Sequence, residues 1–272
     1  MERVRVQDSR REQIREQVLH EGSVRISDLA DRYGVSLMTV HRDLDLLASQ
    51  GWLHKVRGGA TAQPAALFHG DVRNRRRTMA EAKNLIASSA ISLVSPGSSI
   101  ILDDSTTALA LASMLPGRAP LTVVTNFLPV INRLAGEPDI SLVALGGDYQ
   151  TVYEAFLGLR TVRSVDSMRA DMLFLSTTAI ADGRCYHQST DTIQVKQALM
   201  AVAQTRVLLA DHSKFSRRAL HEFAPLTAFD LVVVDDGAGP EVIDSLRSDG
   251  IKVRVASSGS AINPPAAGNT SR

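Results

Sequence analysis

The sequence predicts an α/β chain: a small helical unit precedes a doubly wound, mostly parallel-sheet domain. Three observations predict it. From about residue 80 to 256, apolar runs rich in Val, Ile and Leu alternate with helical patterns. Near-continuous apolar strands separated by helices belong to a parallel sheet covered on both faces. Residues 1–60 instead alternate short helical patterns with tight punctuation. Between them, residues 61–79, from Thr61-Ala62-Gln63-Pro64 onward, lose periodicity and read as a linker. The 272 residues suit two domains. Residues 257–272, rich in Ser, Gly, Pro and Asn, read as a disordered tail.

Composition narrows the function. Apolar residues make up 44% and charged residues 22%, enough for a core and too little charge for general disorder. The net charge of +1 excludes a basic nucleic-acid coat. It hides an asymmetry, because residues 1–80 hold 14 Lys and Arg against 10 Asp and Glu, and the rest is net acidic. An anionic partner is therefore expected at the N-terminal end. Arg73, Arg75, Arg76 and Arg77 add to that balance but read as a solvated linker face. The single cysteine, Cys185, excludes an internal disulfide framework and a Cys-rich zinc site, and it fits a reducing compartment. No run approaches the ~18 apolar residues of a membrane span, and the first eight residues hold no apolar signal core. The expectation is a soluble, cytoplasmic protein without a membrane partner.

The N-terminal elements follow in order. Ile14, Val18 and Leu19 mark a first helix. Ser27 is placed to cap a second, short helix through Tyr33, with Ile26, Leu29 and Ala30 facing inward. Gly34 makes the turn, and Ser36 caps a third helix that runs to about Ser49 and ends at Gly51. Short helix, Gly-containing turn and longer helix make a helix-turn-helix. On the third helix Val40, Leu44 and Leu47 form one stripe, Met38 and Arg42 project oppositely, and Thr39 and His41 flank them. Its N-terminal half thus offers Ser36, Met38, Thr39, His41 and Arg42 to a groove of double-stranded DNA. Arg42 suits a guanine edge or a phosphate, and spacing does not choose. After Gly51, Leu53, Lys55 and Arg57 alternate around Val56 and predict a β-wing. Its Gly58-Gly59 tip permits close approach to a phosphate backbone, where Lys55 and Arg57 supply charge. The unit reads as a winged helix-turn-helix. The bland alternative is a three-helix bundle or winged helix used for protein contacts.

In the large segment the expected strands are Ser99–Asp103, Leu121–Thr125, Ser141–Leu145, Met172–Leu175, Val207–Ala210, Leu231–Val234 and Lys252–Val255. The expected helices are Ala80–Leu93, Thr107–Met114, Phe127–Leu134, Thr192–Gln204 and Pro240–Ser248. Ligands of open parallel sheets bind beyond the carboxyl ends of the strands. The polar residues there are Asp103-Asp104-Ser105-Thr106-Thr107, Thr125-Asn126, Gly146-Gly147-Asp148, Ser176-Thr177-Thr178 and Asp211-His212-Ser213-Lys214. Ser105, Thr106 and Thr107 open a helix and suit an anion. Gly146 and Gly147 allow backbone approach, and Lys214 and Lys196 add positive charge. Asp103 and Asp104 accept hydrogen bonds from hydroxyls. A ligand with a phosphate end and a polyol end satisfies both halves, so the expected effector is a phosphorylated sugar or polyol. A plain helix cap is the bland reading of the first loop. His212 reads as a loop residue rather than a metal ligand, since no second His sits at ligand spacing, and no metal or other cofactor is expected.

The run Arg32-Tyr33-Gly34-Val35-Ser36-Leu37-Met38-Thr39-Val40-His41-Arg42-Asp43-Leu44, then Gly51 and Lys55-Val56-Arg57-Gly58-Gly59-Ala60, resembles the DeoR family of bacterial transcriptional regulators. His41 stands where that family commonly has Arg, Arg57 where it has His, and Leu37 and Met38 where residues are usually polar. The resemblance covers most of residues 8–256. It implies a sensor domain similar to ribose-phosphate isomerases, with a phosphate loop at Asp103–Thr107, a Thr-Asn at Thr125-Asn126, a Gly-Gly at Gly146-Gly147 and an Asp-x-Ser-Lys ending at Lys214. Ser105 replaces the usual Gly. The isomerases' catalytic Glu falls on Lys196, which cannot act as a carboxylate base. No acid follows Met172–Leu175 until Asp182. The sequence therefore predicts no enzyme. It predicts a transcriptional regulator, a repressor of a carbohydrate operon, that binds operator DNA as a homodimer or homotetramer under control of a sugar phosphate. The alternatives are an isomerase-like enzyme with a DNA-binding appendage, and a constitutive DNA binder whose second domain serves assembly.

Overall fold

A computed structural model describes residues 10–11, 13–14, 17–18, 21–49, 53–62 and 72–257. The chain divides into two compact units, Met1–Asp71 and Val72–Arg272.

In the first unit, β1 (Ser23–Arg25) leads into α1 (Ile26–Tyr33), and the turn at Gly34 leads into α2 (Leu37–Ser49). Gly34 takes a φ of 62°, left-handed backbone that glycine adopts without steric cost. Ser36 caps α2, its Oγ accepting from the Thr39 amide at 3.2 Å. The expected cap of α1 differs. Ser27 lies inside the helix and its Oγ bonds Asp28 at 2.9 Å. The strand β1 runs straight into α1, so the Ile26 amide is satisfied by the Gly58 carbonyl at 3.0 Å and needs no hydroxyl. The wing is β2 (Leu53–Val56) and β3 (Gly59–Ala62), with β3 central between β1 and β2 in an antiparallel sheet. Ile14, Val18, Ile26, Leu29, Val40, Leu44, Leu47 and Leu53 form the core. Leu19, Gly51 and Trp52 lie outside the described residues.

The second unit opens with α3 (Val72–Arg77), a helix inside the stretch read as a linker. Most of the rest of that stretch, 63–71, and the tail beyond 257 lie outside the described residues. Then come α4 (Ala80–Ala90), β4 (Ser99–Leu102), α5 (Thr106–Ala112), β5 (Leu121–Thr125), α6 (Leu128–Leu134) and β6 (Ile140–Ala144). A hairpin of β7 (Asp148–Gln150) and β8 (Ala155–Leu157) precedes α7 (Leu159–Val165) and β9 (Ala170–Leu175). Short strands β10 (Ala179–Ala181) and β11 (Arg184–His187) lead to α8 (Thr190–Val202) and β12 (Ala203–Ala210). The chain continues through β13 (His221–Pro225), β14 (Leu231–Asp235), α9 (Pro240–Ser248) and β15 (Val253–Ala256).

All seven expected strands are present, and they form one parallel sheet in the order β15-β14-β12-β9-β4-β5-β6. Its central strands are apolar on both faces: Ile100, Ile101, Leu102, Leu173, Phe174 and Leu175 are all buried. The strand order reverses between β4 and β9. Connections leave those two strands to opposite sides, which opens a crevice beyond their carboxyl ends. A small antiparallel sheet, β10-β11-β13, and the β7–β8 hairpin were not anticipated. Among the described residues no helix is long and apolar enough to cross a membrane.

Candidate functional site

The crevice at the carboxyl ends of β4 and β9 collects most of the polar residues singled out from sequence. Asp103 and Asp104 leave β4 almost fully buried. Lys196, from α8, places Nζ 2.5 Å from Asp103 Oδ2 and 3.1 Å from Asp104 Oδ1. Burial pushes the Lys196 ammonium down, but the two carboxylates raise it above the usual lysine value. Burial likewise pushes the Asp104 carboxyl up, and Lys196, with Arg75, draws it below the ordinary range. Lys196 and Asp104 therefore hold each other in their charged forms, with Asp103 on the other side of the ammonium. Lys196 is thereby committed to carboxylates rather than open to a phosphate.

The two aspartates differ in what they have left. Asp103 Oδ1 accepts from the Ser105 amide at 3.1 Å, and Oδ2 accepts from the Ser176 amide at 2.8 Å as well as from Lys196. Asp103 therefore ties the loop after β4 to the loop after β9. Asp104 Oδ2 is buried with no donor. Asn126 is similar: Nδ2 donates to the Phe156 carbonyl at 3.0 Å, while Oδ1 is buried without a partner. Buried acceptors in this state call for donors from a ligand or from water.

His187 and Tyr153 border the same region, their ring centroids 6.0 Å apart. Burial, followed by Lys196, pushes the His187 imidazole down to about 3, so it is neutral. Its Nδ1 accepts from the Ser189 amide at 3.0 Å, which puts the proton on Nε2 as a donor.

Beside these acceptors lies a cluster of cations. Lys83 Nζ donates to the Arg75 carbonyl and, at 2.7 Å, to the Thr78 carbonyl. Thr106 Oγ1 donates to the same Arg75 carbonyl at 3.3 Å. The Arg75 guanidinium reaches the Asp104 carbonyl at 3.4 Å through both terminal nitrogens, and its buried Nε is unpartnered. Lys214 stands 3.7 Å from Asp211 Oδ2, itself a buried atom without a hydrogen bond. Burial pushes Lys214 down to about 7 and Lys83 down to about 8, and Arg75 and Arg217 push both lower while Asp211 opposes. Lys83, Lys214 and Arg217 thus share the Asp211 carboxylate, with Arg75 adding its charge nearby, an arrangement that a dianion would relax.

Other predicted residues are used by the fold. Ser105 Oγ caps α5 by accepting from the Ala108 amide at 3.1 Å. Thr107 is buried in the first turn of α5. Thr125 Oγ1 accepts from the Phe127 amide at 3.1 Å and closes the turn after β5. The Gly146 carbonyl accepts from Thr161 Oγ1 at 2.9 Å, and a Cβ on Gly147 would stand 2.0 Å from that hydroxyl oxygen. Gly147 therefore lets α7 approach, a packing reason beside the ligand one, whereas a Cβ on Gly146 would meet open space. His212 Nδ1 sits 2.5 Å from Asp235 Oδ2. Sequence reasoning missed Arg75, Lys83, Arg217, His187 and Tyr153. Lys83 carried a legible signal, since it falls on the buried stripe of α4 with Ile86, Ala87 and Ala90.

On the first unit, Val40, Leu44 and Leu47 are buried as expected, and Met38 and Arg42 point into solvent. Leu37 and Met38 are 56% and 62% exposed. Ser36 Oγ lies 3.0 Å from Thr39 Oγ1, and Thr39 and His41 are half-buried. Asp43 is buried and held by Arg10 and Arg11 at 2.7 and 2.8 Å, which fixes α2 against the preceding helical residues. Lys55 pairs with Asp45 at 2.6 Å. Arg57 and Gly58 form the exposed wing turn. Gly59 is not at an open tip: it is buried in β3, where a Cβ would stand 2.2 Å from the Val24 carbonyl oxygen. Its lack of a side chain serves the β1–β3 pairing.

Residues 10–64 match the family model of the DeoR-like helix-turn-helix domain, and residues 78–236 that of the DeoR C-terminal sensor domain. The chain is 30% identical to a putative aga operon transcriptional repressor of Escherichia coli O157:H7, over 92% of this chain and 94% of that one. It is 30% identical to a lactose phosphotransferase system repressor of Staphylococcus epidermidis, over 84% and 91% of the two chains. To the glycerol-3-phosphate regulon repressor of Escherichia coli K12 it is 28% identical, over 92% and 99%.

Proposed function

The chain belongs to the DeoR family, and from that premise we propose that it is a DNA-binding transcriptional regulator, a repressor of a carbohydrate operon, whose operator affinity is set by a phosphorylated sugar or polyol. The helix α2 enters the major groove with Met38, His41 and Arg42 outward, and Arg57 and Gly58 of the wing meet the phosphate backbone. The second unit takes the effector. The observation that carries this reading is the cluster of Lys83, Lys214 and Arg217 around the carboxylate of Asp211, with Arg75 adding to their mutual repulsion, beside the unpartnered acceptors of Asp104 and Asn126. A phosphate neutralises the first group, and hydroxyls donate to the second.

The same crevice argues against turnover. Lys196 is a cation locked between two carboxylates, and Ser176, Thr177 and Thr178 offer no carboxylate base after β9. Paired DNA heads require at least a homodimer, and a homotetramer satisfies the same symmetry. The effector acts by binding one arrangement of the heads better than the other.

The test is a titration of the full chain against a labelled fragment from upstream of its own gene, at fixed salt, with and without a panel of sugar phosphates. Specific binding that one sugar phosphate shifts supports the reading. Specific binding that none shifts removes the effector half, and turnover of any panel member without DNA binding replaces the reading with the enzymatic one.

A further inference from the structure

The end of α2 that enters the groove carries an unusual surface. Leu37 and Met38 are more than half exposed in the first turn; Met38 lies on the side away from the Val40–Leu44–Leu47 core, and Leu37 prolongs that stripe to the exposed tip of the helix. Helical spacing sets His41 one turn beyond Leu37 and Arg42 one turn beyond Met38. The hydroxyls of the same turn are turned on each other, Ser36 Oγ to Thr39 Oγ1 at 3.0 Å, and Ser36 also caps the helix. Those two hydroxyls are thus linked to each other, and two aliphatic side chains lead the helix.

An aliphatic side chain in the major groove has one base-edge feature to recognise, the C5-methyl of thymine. The other edges present only donors and acceptors, which it would desolvate without compensation. Resting on the DNA-binding reading above, we infer that Leu37 and Met38 are specificity residues that read thymine methyl groups, so that the operator half-site carries thymines at the steps facing the tip of α2. Arg42, one turn on, supplies the polar contact that fixes register.

The experiment first enriches duplexes from a random library with the full chain, then measures binding to the enriched duplex with each thymine replaced in turn by deoxyuridine. That change deletes one methyl and leaves every hydrogen-bonding group. At least one replacement per half-site is expected to weaken the wild-type protein about fourfold, the equivalent of roughly 0.8 kcal/mol per buried methyl. The same replacement is silent in Met38→Ala or Leu37→Ala, whichever side chain faces that step. Both residues are exposed, so unchanged melting temperatures confirm that the variants fold. Enrichment followed by deoxyuridine effects below about twofold, or by effects that persist in both variants, overturns this inference and leaves DNA binding standing. Enrichment that returns no duplex overturns both.

Discussion

Binding of a phosphorylated effector should take up protons, and the uptake should come chiefly from Lys214. In the free protein burial holds Lys214 at about 7 and Lys83 at about 8, with Arg75 and Arg217 pushing both lower. A phosphate dianion among them favours the charged ammonium, so both values rise on binding. At pH 8 the free Lys214 is roughly one-tenth protonated and Lys83 roughly half. Full protonation in the complex then takes up about 1.4 protons. Near pH 7 the uptake falls to about half a proton, because Lys214 is already half charged, Lys83 is almost fully charged, and a little phosphate monoanion must lose its own proton. Affinity declines as pH rises above the free lysine values, by two to three orders of magnitude, or roughly 500-fold, between pH 7 and 9. It also declines below about pH 6, where the phosphate protonates. The assay is calorimetry at pH 7 and 8 in buffers of different ionisation enthalpy, with inorganic phosphate and with the sugar phosphate that shifts the DNA complex. In Lys214→Met the uptake at pH 8 should drop to about 0.5, the share left to Lys83. No uptake by the wild-type protein at pH 8, or an unchanged uptake in Lys214→Met, would refute the assignment of the phosphate to this cluster.

Three further outcomes are expected. Arg42→Ala should leave the melting temperature and effector binding unchanged and weaken DNA binding by about 1–3 kcal/mol if the contact is a base edge; a phosphate contact instead lowers the salt slope by about one, so a salt titration tells them apart. Gly59→Ala should destabilise the wing by about 1–3 kcal/mol, because the new Cβ meets the Val24 carbonyl oxygen at 2.2 Å and must push β1 from β3. A melt that matches wild type would show that the β1–β3 pairing yields freely. Lys196→Met should cost about 3–5 kcal/mol at neutral pH, since Asp103 and Asp104 stay buried with no cation between them. Part of that loss should return in acid, where the Asp104 carboxyl protonates, and a pH-independent deficit would count against the charged Lys196–Asp104 pair.

Much of this architecture was legible because it rests on periodicity. The seven strands of the large sheet are short apolar runs, and burial on both faces writes itself into every residue of Ile100, Ile101 and Leu102. The helix-turn-helix was legible for the same reason, with the Ser36 cap and the Gly34 turn marking its edges. The short strands β10, β11 and β13 escaped, since three to five residues in a small sheet carry no sustained pattern. With them escaped His187, which reaches the crevice only because β11 folds over α8. Arg75 was hidden by its company. Four neighbouring arginines look like a solvated face, and only the α3 helix, invisible in the unpatterned stretch, turns Arg75 inward while Arg76 and Arg77 stay exposed.

Lys196 shows where residue type misleads without geometry. From sequence it counts as a positive charge offered to a phosphate. In the crevice it is the counter-ion of Asp103 and Asp104, and the cations left without a carboxylate each are Arg75, Lys83, Lys214 and Arg217, to which the proposed function assigns the phosphate. The distinction decides what the site can do. A carboxylate at position 196 would face two buried aspartates, and like charges so close cannot all ionise, so one would hold a proton and act as acid or base. A lysine there removes that possibility, since it satisfies both aspartates and leaves Asp104 Oδ2 as a fixed acceptor. The arrangement suits holding a polyol in one orientation rather than transforming it, which is the requirement of a receptor.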